Sequence, residues 1–255
     1  MYGLERKVFD QLVYLRDEFK LQGIKAEFEA EGSNFRDIMR LRRLTAKADV
    51  NLFLKIGGVE AVRDIKDSLE LGVDGLIAPM VETKFGVKKF VDAYKSIYKE
   101  HRIHLSINVE TENAIGGIDN ILDFAVNKID NVTLGRTDLS ASYFDPEVVP
   151  DSDLIFKLIK NIGAKVRKSG LTFTVGGTIS LATIDKFRKN PSQVECINNI
   201  ETRKVILPRD IAIGRKNAIN DALKFEELYI LSKKEFTDLF IESEVTRLIK
   251  LTRRL

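Results

Sequence analysis

Short β-branched runs alternate with segments of helical period from one end of this chain to the other, which restricts the fold to repeated βα units around a parallel sheet. The strand candidates are, in order, Ile24–Ala30, Leu52–Ile56, Gly75–Pro79, His104–Glu110, Asn131–Gly135 and Leu171–Val175. Two closely spaced pieces follow, around Val194–Ile197 and Lys204–Leu207. Between strands, apolar stripes such as Val87, Phe90, Val91, Tyr94 and Ile97 recur at three- and four-residue spacings and predict helices. The first helix is expected over Leu4–Lys20. Eight strand candidates match a TIM (β/α)8 barrel, and 255 residues suit one such domain over 1–255. The last two candidates lie too close together for a crossover helix, so an irregular barrel and a misassigned strand both stay open. Neither Gly nor Pro occurs after Gly214, and apolar positions through residues 216–255 predict extra C-terminal helices, two or more in number. Their apolar faces exceed what closes one barrel, and either pack on a neighbouring subunit or fold back on their own barrel.

Composition excludes several functions. The net charge of +3 is small, and the basic residues are scattered rather than gathered into a stripe, so no nucleic-acid partner is expected. No apolar run reaches the ~20 residues that cross a bilayer, and the opening Met1-Tyr2-Gly3-Leu4 has no secretion-signal pattern. A cytoplasmic protein with no membrane partner is the expectation. Cys196 is the only cysteine, which rules out an internal disulfide or a thiolate metal cluster and leaves a small buried hydrophobe.

Strands of a helix-covered parallel sheet normally read as continuous apolar runs, and several here do not. Lys25, Glu27 and Glu29 alternate with Ala26, Phe28 and Ala30; Ser106, Asn108 and Glu110 alternate with Leu105, Ile107 and Val109; the second strand ends in Lys55. With a side-chain period of two, each polar set shares one face. If those faces point inward, ionic groups converge on the barrel interior and demand partners or a metal ion. A buried salt-bridge network of Lys25, Glu27, Glu29 and Lys55 is the plainer alternative. Active sites of such barrels lie at the C-terminal strand ends, the level of Glu29, Glu31, Lys55, Glu82, Glu110 and Asp138. Two carboxylates there, Glu110 and Asp138, suit a hard divalent cation that polarises a carbonyl or enolate oxygen. Gly57-Gly58, Gly116-Gly117 and Gly176-Gly177 expose amides able to receive a carboxylate or phosphate, although a glycine pair also serves plain turn geometry.

Four segments carry a resemblance: Leu54-Lys55-Ile56-Gly57-Gly58, Ala78-Pro79-Met80-Val81-Glu82-Thr83, Asn108-Val109-Glu110-Thr111 and Gly135-Arg136-Thr137-Asp138-Leu139-Ser140. Their order and spacing, over roughly residues 24–180, resemble the HpcH/HpaI aldolase and citrate lyase β-subunit family. The resemblance implies a pyruvate- or phosphoenolpyruvate-type barrel, a homo-oligomer (trimer or hexamer) with exchanged C-terminal helices. It makes Glu110 and Asp138 ligands of Mg²⁺ or Mn²⁺, and has the amides of Thr137 and Asp138, with Gly135 and Gly57 nearby, bind the carboxylate of a small 2-oxo acid. Carbon–carbon cleavage or condensation with an aldehyde or acyl-CoA would then pass through a stabilised enolate. Two departures stand out. Lys55 occupies the position of a common family arginine, one compact charge in place of a planar fork. The usual histidine after the first strand is replaced by Glu29-Ala30-Glu31-Gly32, while His101 and His104 fall at the far end of the fourth strand. The base is therefore sought among Glu29, Glu31 and Lys55.

Two other readings compete with a metal-dependent lyase. A desolvated Lys55 could form a Schiff base with the substrate. Alternatively, the barrel has lost catalysis and serves as a ligand sensor or assembly subunit.

Overall fold

The computed structural model describes residues 3–255; Met1 and Tyr2, the first residues of the opening read for a secretion signal, lie outside the described residues. Eight strands close into a barrel in chain order: β1 (Gly23–Glu27), β2 (Leu52–Lys55), β3 (Gly75–Ala78), β4 (His104–Val109), β5 (Asn131–Gly135), β6 (Thr172–Gly176), β7 (Asn199–Glu201) and β8 (Val205–Pro208). The strands from β1 to β7 pair in parallel, each with the next. β8 runs antiparallel to both β7 and β1. The fold is thus a TIM-type α/β barrel carrying a C-terminal helix, with its last crossover replaced by a hairpin.

That hairpin answers the question left by the short final gap. Only Thr202, Arg203 and Lys204 separate β7 from β8, enough to reverse the chain but far short of a right-handed crossover. Thr202 closes the turn, its Oγ1 accepting from Val205 N at 3.1 Å and its amide donating to Val205 O at 2.9 Å. Because β8 descends, this turn joins the C-terminal rim. The piece expected as a strand at Val194–Ile197 is instead the end of a short helix, Pro191–Val194, and its exit; β7 lies just beyond it.

Local chemistry fixes where strands and helices begin. The residues before β3, β5 and β7 are Asp74, Asp130 and Asn198, and each side chain accepts the N–H of the neighbouring strand: Leu52 at 2.7 Å, Leu105 at 2.8 Å and Phe173 at 2.9 Å. These acceptors satisfy amides at the bottom edge that would otherwise lack partners. At the upper rim, Thr83 and Thr111 cap the helices Lys84–Tyr98 and Glu112–Gly116, and Asn34 and Ser180 form capping boxes.

The apolar core is the ring between sheet and helices, where Ile24, Leu54, Leu76, Ile107, Val132 and Phe173 are fully or nearly fully buried. The barrel interior is largely polar, with Phe53, Ile77 and Ile206 among its apolar side chains. Lys25, Glu27, Ser106, Asn108, Asn131, Thr133, Thr174 and Glu201 are all buried. Asn131 ties its layer together, donating to Ser106 Oγ at 2.7 Å and Thr133 Oγ1 at 3.0 Å and accepting from Thr174 Oγ1 at 2.8 Å. Most barrels fill this space with branched apolar side chains.

Residues 216–255, expected to hold two or more helices, form one: Ala218–Thr252, with no break at any glycine or proline. Its first half buries Ala218, Ala222, Phe225 and Tyr229 beside the opening helix Gly3–Phe19 and fills the gap in the helical ring left by the hairpin. From Thr237 onward every residue is exposed. Among the described residues no helix is long and apolar enough to cross a membrane.

Two predictions test these local devices. Asp130→Ala, which strands the Leu105 amide and the Arg102 guanidinium, should lower unfolding free energy by about 1–3 kcal/mol in a urea titration without changing the fold. His104 packs edge-on against Phe53 with ring centroids 5.3 Å apart, and burial lowers its pKa despite Asp130 at 3.9 Å. A folded-state value below the unfolded one means stability is whole above the ordinary histidine pKa of about 6.5 and is lost as pH falls through it. The melting temperature of His104→Gln should fall less steeply with acid over that window than that of the parent.

Candidate active site

A cavity of about 460 Å³ opens at the C-terminal rim, lined by Lys25, Glu27, Lys55, Asn108, Glu110, Gly135, Thr137, Asp138, Gly177, Thr178, Glu201, Thr202, Arg203, Leu223 and Glu226. A larger hollow of about 540 Å³ lies at the other end, around His101, Arg102 and His104. The aspartates of that hollow, Asp74 and Asp130, are committed to the strand edges described above, and none of the residues read as catalytic reaches it.

The rim cavity brings together Lys55, Glu110, Gly135, Thr137 and Asp138, as the sequence reading expected. Glu110 follows β4 and is buried. Its Oε1 accepts the Met80 amide at 3.0 Å and its Oε2 the Asn108 Nδ2 at 3.3 Å. Gly135, at the end of β5, makes room for it: a Cβ there would stand 2.4 Å from Glu110 Oε2. Desolvation raises the Glu110 pKa and Asp138 adds to the rise, while Lys55, the Met80 amide and Lys25 oppose it. Asp138 sits exposed in the short helix Arg136–Ala141 that opens straight from β5.

The remaining expected residues divide. Gly57 lies outside the lining, its amide donating to Asp64 Oδ2 at 2.7 Å. β1 stops at Glu27, so Glu29 falls past the strand, exposed and lying against Gly57 rather than pointing inward with Lys25 and Glu27. Glu31 pairs with the buried Lys204 and is likewise outside the lining. The strand expected to run to Ala30 is shorter because residues 29–32 form a turn, closed by Gly32 N to Glu29 O at 3.0 Å.

An ionic network occupies the cavity floor. Lys25 Nζ lies 3.0 Å from Glu201 and 3.6 Å from Glu27, and Lys55 Nζ lies 3.8 Å from Glu27. Burial works against the charge on Lys25, yet Glu201, Glu27 and Glu110 outweigh it and hold its pKa above the ordinary value. The salt-bridge network and the candidate site are therefore one structure. Glu201, Arg203 and Glu226 escaped the sequence reading. Glu201 and Arg203 belong to the unrecognised hairpin, and Glu226 sits in a helix whose apolar pattern masked it.

Arg136, fully buried, buckles the rim. It pairs with Asp151 at 2.6 Å and donates to the carbonyls of Gly176 at 3.1 Å, Gly177 at 2.6 Å and Pro150 at 3.1 Å. Gly177, at φ +85°, needs to be glycine: a Cβ would come within 2.6 Å of the Thr137 amide nitrogen. Met80 and Thr178, both at φ +50°, place left-handed non-glycine residues on the same rim, where functional sites concentrate backbone strain.

The donor set suits a hard divalent cation. Glu110 and Asp138 offer carboxylate oxygens, and Asn108 Oδ1 is buried beside them without a hydrogen-bond partner. Among the described residues no third His, Cys, Asp or Glu joins them, so the amide oxygen, water and ligand would complete the shell, a pattern usual for Mg²⁺.

Comparison with solved structures finds the same fold over most of the chain. An HpcH/HpaI aldolase from Desulfitobacterium hafniense superposes with TM-score 0.58 at 18% identity, over 72% of this chain and 80% of that one. An HpcH/HpaI aldolase/citrate lyase family protein from Burkholderia cenocepacia gives 0.59 at 14%, over 85% and 89%. A variant of the citrate synthase SbnG gives 0.57 at 19%, over 86% and 90%. At these identities the likeness carries the fold alone. Comparison with curated protein sequences gives no match. The model of the HpcH/HpaI aldolase/citrate lyase family matches residues 36–190, more than half of the sequence. The chain belongs to the HpcH/HpaI aldolase/citrate lyase family, and that membership supports lyase- or aldolase-type chemistry.

Proposed function

We propose that this protein is a carbon–carbon lyase or aldolase acting on a small, pyruvate-like 2-oxo acid, with Mg²⁺ or Mn²⁺ held by Glu110 and Asp138. The observation that carries this reading is their convergence on one cavity beside the unpartnered Asn108 Oδ1. A bound cation supplies positive charge that stabilises the negative charge developing on a keto oxygen. The chain's own groups do the rest. The Thr137 and Asp138 amides take the substrate carboxylate, beside Gly177, where a Cβ would crowd the Thr137 amide nitrogen, and next to Gly135, against which the Glu110 carboxylate lies. Lys55, held by Glu27 at the tip of β2, directs its ammonium toward the keto oxygen. The cavity, at about 460 Å³, has room for a second reactant, an aldehyde or the thioester end of an acyl-CoA.

Incubation with pyruvate in deuterated water tests the reading, because a group that forms the enolate exchanges the methyl protons even without an acceptor. Exchange should stop on chelation and return with Mg²⁺ or Mn²⁺. Glu110→Gln should retain the fold and lose exchange by at least about 100-fold, the scale of removing one electrostatic stabiliser. Undiminished exchange in that variant would remove Glu110 from the site, and borohydride trapping of pyruvate on Lys55 would favour an imine instead.

We further propose a homo-oligomer, trimer or hexamer, built through the overhanging part of Ala218–Thr252. Ile241, Val245, Leu248 and Ile249 recur at three- and four-residue spacings and are each about half exposed or more. Val245→Glu with Ile249→Glu should reduce the mass measured by light scattering to that of one chain, leaving the barrel's circular dichroism unchanged.

A further inference from the structure

The family histidine is missing, and neither acid that follows β1 lines the cavity. Five carboxylates do: Glu27, Glu110, Asp138, Glu201 and Glu226. Glu27 and Glu201 are engaged with Lys25 and Lys55, and Glu110 and Asp138 are the cation ligands of the reading above. Glu226 makes no hydrogen bond or ion pair with any described residue and is half-buried. The terminal helix delivers it to the mouth over β8 and β1. In an eight-stranded ring these lie opposite β4 and β5, so Glu226 faces Glu110 and Asp138 across the opening.

We propose that Glu226 is the acid–base residue of this site, a role that rests on the lyase reading given above. In the cleavage direction its carboxylate takes the proton from the hydroxyl on the carbon that becomes the aldehyde. The O–H pair becomes the second bond of that C=O, and the carbon–carbon bond breaks. Its electrons pass to the 2-oxo acid fragment as an enolate. The proton held on Glu226 then returns to the freed carbon, which becomes a methyl group, and the carboxylate is regenerated. Condensation runs the same transfers backwards. The groups facing Glu226 are Lys204 and Arg203 from the hairpin, Glu31 from the turn after β1 and Lys25 from β1. Burial raises its pKa, with Glu31 assisting and the three cations opposing, which moves a carboxylate toward neutral operation.

Pyruvate with Mg²⁺ in deuterated water is again the probe, now followed against pH. Exchange by the parent should fall on the acid side as Glu226 protonates. Glu226→Gln should lower the plateau by at least about 100-fold, the usual weight of one general base, and abolish the acid limb. Calorimetry should still show pyruvate binding in the presence of Mg²⁺. Glu226→Asp should recover part of the rate with a shifted limb. Parent-like exchange in Glu226→Gln, with the acid limb in place, overturns the assignment while the lyase reading stands; so does loss of pyruvate binding together with exchange, which would mark a role in shaping the cavity. Absence of exchange in the parent overturns the lyase reading itself.

Discussion

Charge inside a barrel has to be neutralised where it stands, and the chain Glu201–Lys25–Glu27–Lys55 does this across three strands. Removal of any member would leave a desolvated partner uncompensated, which costs several kcal/mol, whereas the intact network gives modest net stability. Its value is positional. Glu27 and Lys55 face each other in the β1–β2 register, so the network sets an anionic partner beside Lys55 at the rim. It also commits two of the cavity's acids to lysine and leaves Glu110, Asp138 and Glu226 for other work. The hydroxyl and amide layer beneath, centred on Asn131, continues the polar interior downward where an apolar plug would make burial of Lys25 still more costly.

The rim is held by contacts that only particular residues permit. Arg136 spends its hydrogen-bonding capacity on the carbonyls of Gly176, Gly177 and Pro150 and on Asp151, so it ties the ends of β5 and β6 to the loop that holds Pro150 and Asp151. Gly135 lets the Glu110 carboxylate lie against β5, and the strained Met80 aims its amide at the same group. These contacts orient Glu110 from two sides before any ligand arrives, the arrangement that makes electrostatic stabilisation effective.

Much of this was legible in the residues. The first six strands announce themselves through β-branched runs, and Lys55, Glu110 and Asp138 through their places at strand ends. The errors in placing β1 and β7 share a cause. A strand facing a polar interior reads as alternating polar and apolar residues, so β7, only Asn199-Ile200-Glu201, looks like a loop while the apolar Val194–Ile197 beside it looks like a strand. The reverse error lengthened β1, because Glu29 continues its alternation after the backbone has turned away. Glu226 carried no local signal, since what brings it to the cavity is the return of the last helix over the barrel mouth. Tertiary placement of this kind leaves no mark on spacing.

The antiparallel closure also sets an order of events during synthesis. Ile24 of β1 finds its outer partner only at Val205, and the helix that covers this seam begins later still, at Ala218. Until β8 and the first half of Ala218–Thr252 have joined the barrel, the edge of β1 and the apolar face of Gly3–Phe19 stand open, the kind of surface that pairs wrongly with other chains. Closure of the barrel therefore rests on a pairing between segments far apart in the chain, the kind of long-range contact whose loop entropy is met before it is rewarded.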